Sequence, residues 1–426
     1  MRLDDALHAA RTRYVDVHPR SAVLAERARA VLPGGNTRSV LHIDPFAFRV
    51  AKADGAYLHD VDGHVYLDLL GDYSAGLLGH RPQVVLDAVE ATLARGWSMG
   101  AMAEPEIAFA EAVVSRFGSL EQVRFTNSGT EANLMAVMTA RHVTARSRVV
   151  VFDGGYHGGL LYFGPAGAPL RAPFDYAVLQ YNDIAAVEKE FATHGERIAC
   201  VLVEPMLGAS GCIPGDPAFL ATLRRCTHET GSLLIFDEVM TSRLSVGGAQ
   251  QLLGITPDMT VLGKYLAGGL SFGAFGGRRD VMAHFDPAAG GELAHAGTFN
   301  NNVASMAAGV ATLTRVLTPE VLTATNERGD RLRTTLDEMF RHHGLPMCVT
   351  GAGSLLNVHG TAGPLRSGRD LAGADDRWRE LLYFAALDSG YHLARRGFIA
   401  LSIEVTDEDV DRFVEVVDRW CAHPAG

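Results

Sequence analysis

The spacing of apolar residues divides the chain into regions of different period. From residue 1 to about 31, apolar side chains recur among charged ones at helical spacing. One amphipathic helix is predicted there, ended by Pro33-Gly34-Gly35. Two extended segments follow, Phe46 to Ala51 and Ala56 to Leu70, the second with an Asp62-Gly63 turn inside it. Between about 71 and 310, short β-branched runs alternate with helical stretches. The runs are 148–152, 199–203, 233–236 and 260–262, each nearly all apolar. Strands of that kind suit a parallel sheet covered on both faces. Pro217 to Thr230, with Phe219, Leu220, Leu223 and Cys226 at helical spacing, is an intervening helix. Beyond about 311 the chain is more charged, with mixed helix and strand signals. The expected architecture is α/β. A large domain over 71–310 carries a mostly parallel sheet, and a small α+β domain is assembled from 1–70 and 311–426.

Composition narrows the chemistry. Thirty-eight basic against 49 acidic side chains give a formal charge of −11, and no long Lys/Arg run offsets it. Binding to nucleic acid or an anionic membrane is therefore not expected. Five widely spread cysteines form no C-x-x-C pair, which argues against a disulfide framework or thiolate metal site. The acids in Met1-Arg2-Leu3-Asp4-Asp5 do not suit a signal peptide, and no apolar run approaches a membrane span. A cytoplasmic protein is expected. Forty-six glycines exceed the usual ~7% without any collagen-like period, so they serve particular turns or close approaches.

Three stretches could carry chemistry. In Phe125-Thr126-Asn127-Ser128-Gly129-Thr130-Glu131-Ala132 a strand ends, small polar residues turn the chain, and a helix begins. Its free N–H groups, dipole and hydroxyls describe a phosphate cradle, although a capped helix without ligand has the same pattern. In Leu233-Leu234-Ile235-Phe236-Asp237-Glu238, two acids close a buried strand, where open α/β sheets bind ligands. Such an acid needs a partner: a protonated ring nitrogen, a metal or an arginine. In Leu262-Gly263-Lys264-Tyr265, a single lysine follows an apolar strand among glycines, a setting for a nucleophilic amine. A P-loop is excluded because Tyr265 stands where Ser/Thr is required. One cofactor answers all three stretches: pyridoxal 5'-phosphate, with its phosphate, ring nitrogen and aldehyde.

The chain resembles the class III, fold-type I pyridoxal-phosphate aminotransferases, in the branch containing glutamate-1-semialdehyde aminomutase. The resemblance rests on residues 127–132, Gly155-Tyr156-His157-Gly158, Val203-Glu204-Pro205, residues 236–241, Leu262-Gly263-Lys264 and Ala296-Gly297-Thr298-Phe299. It implies that Lys264 bonds covalently to the cofactor and later shuttles the proton, while Asp237 pairs with the pyridinium nitrogen. It further implies that Ser128, Gly129 and Thr130 hold the phosphate, and that Tyr156 and Val239 cover the two ring faces. Thr298 would reach the phosphate of a neighbouring subunit, implying a homodimer. Gly129, Gly158, Gly263, Gly273, Gly276 and Gly277 would then bring backbone close to the ring.

Departures from the aminomutase pattern refine the resemblance. Ala209 stands in the loop after Glu204-Pro205 where aminomutases have Asn, and two arginines, Arg38 and Arg396, stand where they have none. Arginine's planar fork suits a carboxylate. These departures are similar to the bacterial β-phenylalanine aminotransferases of the branch. That likeness implies that Arg38 binds the carboxylate of the amino donor and Arg396 serves a 2-oxo acid acceptor such as 2-oxoglutarate. Three other readings stay open: an aminomutase-like isomerase, an aminotransferase for a D-arylglycine or ω-amine, and a cofactor-binding regulator without turnover.

Overall fold

In the computed structural model, which describes residues 2–424, seven strands form the largest sheet. Their order is Gln122–Thr126, Gly273–Gly277, Met259–Gly263, Leu233–Asp237, Ile198–Val203, Arg148–Phe152 and Asp175–Leu179. Only Gly273–Gly277 runs against its neighbours. The mostly parallel sheet read from the sequence is present, and alternation explains its burial. Leu233 and Ile235 pack on one face, with Ala132, Ala136 and Val137 of the helix Gly129–Thr144. Leu234 and Phe236 pack on the other, with Phe219, Leu220 and Leu223 of the helix Pro217–Thr230. With both faces covered, every residue of Leu233–Asp237 is buried.

Two of the glycines expected near the cofactor belong to the sheet instead. A Cβ on Gly276 would lie 2.3 Å from the Gln122 carbonyl oxygen, and one on Gly277 2.2 Å from that of Asp258. These glycines let neighbouring backbones close up, which sequence adjacency to the lysine loop could not distinguish from ligand approach.

The N-terminal helix expected over 1–31 is two helices, Leu3–Val17 and Pro19–Arg29, meeting at His18. Pro19 disfavours helical backbone at the preceding residue and lacks an N–H, so it starts a new helix. Asp62, from the predicted turn, caps that helix from a distance, accepting from Arg20 N at 2.7 Å and Ser21 N at 3.0 Å. The first extended segment also lies later in the chain than expected. The strand is Val50–Asp54, while Phe46 and Phe48 are buried against Tyr14 and Ala25. No helix among the described residues is long and apolar enough to cross a membrane.

The ends of the chain meet in a four-stranded sheet, where Tyr391–His392 runs parallel to Val65–Asp68. Ala56, Leu67 and Leu69 share one core with Leu332, Phe340, Val358 and Phe413. Buried Asp68 is the polar joint: His392 Nδ1 lies 3.0 Å from one oxygen and His80 Nε2 3.0 Å from the other. Burial pushes this carboxyl up, but the hydrogen bonds from His392 and His80 outweigh it and hold Asp68 well below its ordinary 3.8. A carboxyl depressed on folding contributes stability above its unfolded pKa and loses it as pH falls towards the folded one. Asp68→Asn should therefore cost about 2–3 kcal/mol at neutral pH and flatten the loss of stability on acidification. Urea unfolding between neutrality and pH 3 measures both.

Candidate active site

Residues from five strand ends converge at the carboxyl edge of the large sheet, the position where open α/β sheets bind ligands. Lys264 directly follows Met259–Gly263, Asp237 ends the adjacent Leu233–Asp237, and Glu204 follows Ile198–Val203. The loop carrying Tyr156 follows Arg148–Phe152, and Ser128 follows Gln122–Thr126.

The lysine is held in a strained setting. Its backbone is left-handed, with φ of 56°, as are Asp72, Tyr73 and Ser74, at 43°, 52° and 74°. Four of the seven non-glycine positive-φ residues among those described thus meet at one amine. Each is a conformation that costs on the order of 1–3 kcal/mol and persists only where surrounding contacts impose it. The contacts are visible: Lys264 Nζ donates to the Tyr73 carbonyl at 2.7 Å and to Ser74 Oγ at 2.9 Å. Burial lowers the amine to about 8, with Asp237 and Glu204 pulling the other way.

The two acids at the end of Leu233–Asp237 separate in role. Glu238 turns away and accepts from the backbone N–H groups of Ala249 and Gln250, at 2.6 and 2.9 Å, and so holds a loop. Asp237 faces the site. Its Oδ1 accepts from Val239 N at 3.0 Å; its Oδ2 accepts from Asn133 Nδ2 at 2.9 Å and lies 2.8 Å from His157 Nδ1. A buried carboxylate so fixed has remaining acceptor capacity on Oδ1, suited to a protonated ring nitrogen. Glu204 is buried too, and burial raises it to about 7 against the charge of His157. It accepts from the N–H of Tyr156 and of Gly208, both at 2.9 Å, and so presents the half-exposed Tyr156 ring.

The helix Gly129–Thr144 opens on this edge. Ser128 caps it through the Glu131 N–H at 3.2 Å, and Glu131 reaches back to the Asn127 N–H at 2.7 Å. The N–H groups of Gly129 and Thr130 have no intrahelical acceptor at this end. Val239 lies over the glycines: a Cβ on Gly129 would come 3.0 Å from one Val239 methyl, and one on Gly263 3.2 Å from the other. Gly158, at φ of 102°, lies so close to Thr130 that a Cβ would stand 2.1 Å from its Oγ1. A helix N-terminus with free donors, a neutralisable amine and an oriented carboxylate together fit a phosphorylated pyridine aldehyde.

Both arginines meet at Tyr73. The Arg38 guanidinium carbon is 5.7 Å from the ring centroid and that of Arg396 is 5.0 Å away. Arg38 also pairs with Asp72 at 2.6 Å. Thr298 stands apart, exposed beside exposed Phe299, in a loop that Asn300 ties to Asn127 at 2.9 Å.

Sequence reasoning assigned no role to Asn133, His157, Glu204, Tyr73 or Ser74. Asn133 carried a signal, since it is a polar residue on the buried stripe shared with Val137 and Ala140. Tyr73 and Ser74 carried none, because 190 residues separate Ser74 from the lysine.

The family model for aminotransferase class-III matches residues 41–364. The chain is a class III aminotransferase. It is a pyridoxal-phosphate-dependent transaminase of the fold-type I architecture. It is 49% identical to a β-phenylalanine transaminase of Variovorax paradoxus over 98% of this chain and 96% of the relative. The crystal structure of a β-phenylalanine aminotransferase from that organism superposes with a TM-score of 0.97 at 48% identity, covering 100% and 99% of the two chains. A transaminase solved with its pyridoxal phosphate bound gives 0.87 at 32% identity, covering 95% and 98%. A glutamate-1-semialdehyde aminomutase from Pseudomonas aeruginosa PAO1 gives 0.89 at 26%, covering 100% and 98%.

Two outcomes follow from this aminotransferase's geometry. Covalent capture of pyridoxal phosphate by the cofactor-free protein should accelerate with pH and level off above about 8, as the Lys264 amine loses its proton; stopped-flow absorbance reads it. Gly158→Ala, which forces a left-handed alanine into Thr130, should destabilise the protein by about 1–3 kcal/mol and weaken cofactor retention in dialysis.

Proposed function

We propose that this class III aminotransferase moves the amino group of a β-amino acid, aromatic and β-phenylalanine-like, to a 2-oxo acid such as 2-oxoglutarate. The observation that carries this reading is the pair of arginines on Tyr73, whose own carbonyl holds the Lys264 amine. Two planar cations stand within reach of one reacting centre, so a donor and an acceptor carboxylate each have a candidate partner. The 49% identity to the Variovorax paradoxus enzyme supports the same donor class.

The bound cofactor supplies an electrophilic carbon for the donor's amine and a ring that withdraws electrons. The remaining work falls to this chain. Lys264, whose amine burial holds below its ordinary value at about 8, takes the proton from the amino-bearing carbon of the donor and later returns it. The Tyr73 carbonyl and Ser74 hydroxyl position that amine. Asp237 accepts from the ring nitrogen, and Asn133 and His157 fix its carboxylate. Ser128, Gly129 and Thr130 receive the phosphate, and Tyr156 and Val239 enclose the ring. Arg38 orients the donor carboxylate and Arg396 that of the acceptor. The donor leaves as a β-keto acid, and the acceptor leaves aminated.

The working unit in this reading is a cytoplasmic homodimer in which Thr298 completes the partner's phosphate site. Its support is an exposed apolar stretch, Trp97, Met99, Met102 and Ile107, beside exposed Phe299. The Glu106–Asn301 hydrogen bond, 3.2 Å, joins the two segments. All five cysteines are free and buried, as a reducing compartment allows. The aminomutase reading predicts turnover without any 2-oxo acid, and a D-arylglycine or ω-amine donor is tested in the same screen.

Lys264→Ala should abolish turnover and the absorbance of the covalently bound cofactor; retained turnover would remove the lysine from its role. Arg38→Ala should lower kcat/KM for the β-amino acid by roughly 10–100-fold, the loss of a charge-assisted pair, and spare the acceptor half-reaction. Arg396→Ala should do the converse, and single-turnover kinetics of each half separates the two.

A further inference from the structure

Away from the cofactor site, metal-type donors gather where the two N-terminal helices meet the first sheet. His18 stands at the helix break, Asp60 ends the strand Tyr57–Asp60, and His64 lies just past the Asp62-Gly63 turn. His18 and Asp60 are buried and His64 is half-buried.

Hydrogen bonds define which atoms are free. His18 Nδ1 lies 2.7 Å from the Tyr14 carbonyl, which can only accept, so this nitrogen carries a proton. In the neutral ring Nε2 then carries the lone pair. Nε2 faces Asp60 Oδ2 at 3.4 Å, and His64 Nδ1 lies 2.8 Å from the same oxygen. Asp60 Oδ1 is already engaged by the N–H groups of Asp62 and His64, at 2.9 and 2.7 Å. The Tyr66 hydroxyl has a single proton, 2.8 Å from His18 Nε2 and 3.4 Å from Asp60 Oδ2, so it cannot serve both. His64 Nδ1 serves Asp60 Oδ2 and the Tyr66 hydroxyl serves His18 Nε2, so a nitrogen lone pair and a carboxylate oxygen stand side by side in a buried place, each held by a donor that a bound cation would displace.

We propose that His18 Nε2, Asp60 Oδ2 and His64 Nδ1 form a site for one divalent cation of the zinc class, with a fourth position for water. The three ligand atoms all lie within 4.8 Å of one another. Zinc bonds of 2.0–2.2 Å in tetrahedral array separate ligand atoms by about 3.3 Å. The His18–Asp60 spacing of 3.4 Å meets that value. His64 must withdraw by about half an ångström, within reach of a half-buried ring. Two imidazoles with one carboxylate favour zinc over magnesium or calcium, which take all-oxygen shells. The outer partners also fit: the Tyr14 carbonyl orients His18, and two backbone N–H groups orient Asp60. An ion here ties the helix break to the turn that also supplies the Asp62 cap. It therefore braces the segment leading on to Arg38.

The test uses the cofactor-loaded enzyme, stripped of metal with EDTA and titrated with Zn(II) by calorimetry. Co(II) serves as a coloured substitute. The expected result is one ion per chain and a higher thermal midpoint in Zn(II) than in EDTA. His64→Gln, at the most accessible ligand, should keep transamination and its midpoint in EDTA. Its affinity should fall by at least the ~10–100-fold that loss of an outer partner costs. Absence of saturable binding overturns the proposal, as does binding to His64→Gln with unchanged affinity. A midpoint that responds to pH across the imidazole range but not to Zn(II) also overturns it, leaving the place to a proton.

Discussion

The hydrogen bonds from the Lys264 amine to Tyr73 and Ser74 are the joint on which the site depends. On one side they touch the end of a central strand, and on the other a segment just beyond the four-stranded sheet. Left-handed backbone at Lys264, Asp72, Tyr73 and Ser74 is unfavourable residue by residue. Packing around all four imposes it. Buried Leu70 and Phe398 lie in one cluster with half-buried Tyr73, and Tyr265 to Ala267 are buried in another. The strain places an amine with a lowered pKa beside a ring that both arginines approach, so lysine position and carboxylate position are mechanically linked.

Desolvation is the second constraint. Three carboxylates close to this edge are buried, and each is stable only because donors surround it. Glu238 uses backbone N–H groups and holds a loop. Glu204, raised to about 7, uses those of Tyr156 and Gly208 and holds a ring. Asp237 alone is left with an oxygen towards the site, and it is the one flanked by an imidazole and an amide. The same low-dielectric surroundings that raise Glu204 lower Lys264, so burial pushes both groups towards their neutral forms.

Much of this was readable in the linear pattern. Runs of β-branched residues located the parallel strands, because a sheet covered on both faces must be apolar at every position. Asp237 and Lys264 were legible for the converse reason, since an ionisable group closing such a run has to be satisfied at the strand end. Asn133, Glu204 and His157 were less legible. Their importance lies in partners 104, 48 and 80 residues away, and no local period marks those contacts. The single N-terminal helix failed at Pro19, where helical periodicity continued across a residue that restarts the backbone. Gly276 and Gly277 were assigned to the cofactor because they adjoin the lysine loop, whereas a neighbouring strand excludes their side chains.

By itself the sequence determined the α/β class, the sheet strands, the lysine, the acid and the capped turn. These follow from burial and capping, which act over a few residues and leave a local trace. Tertiary structure decided which of two adjacent acids faces the site, what holds the amine, and that Arg38 and Arg396 approach the same tyrosine. It also decided that His18 meets Asp60 and His64 across a helix break. Such meetings depend on how distant segments close over one another, and chain order does not encode a distance between residues that only the packed core brings together.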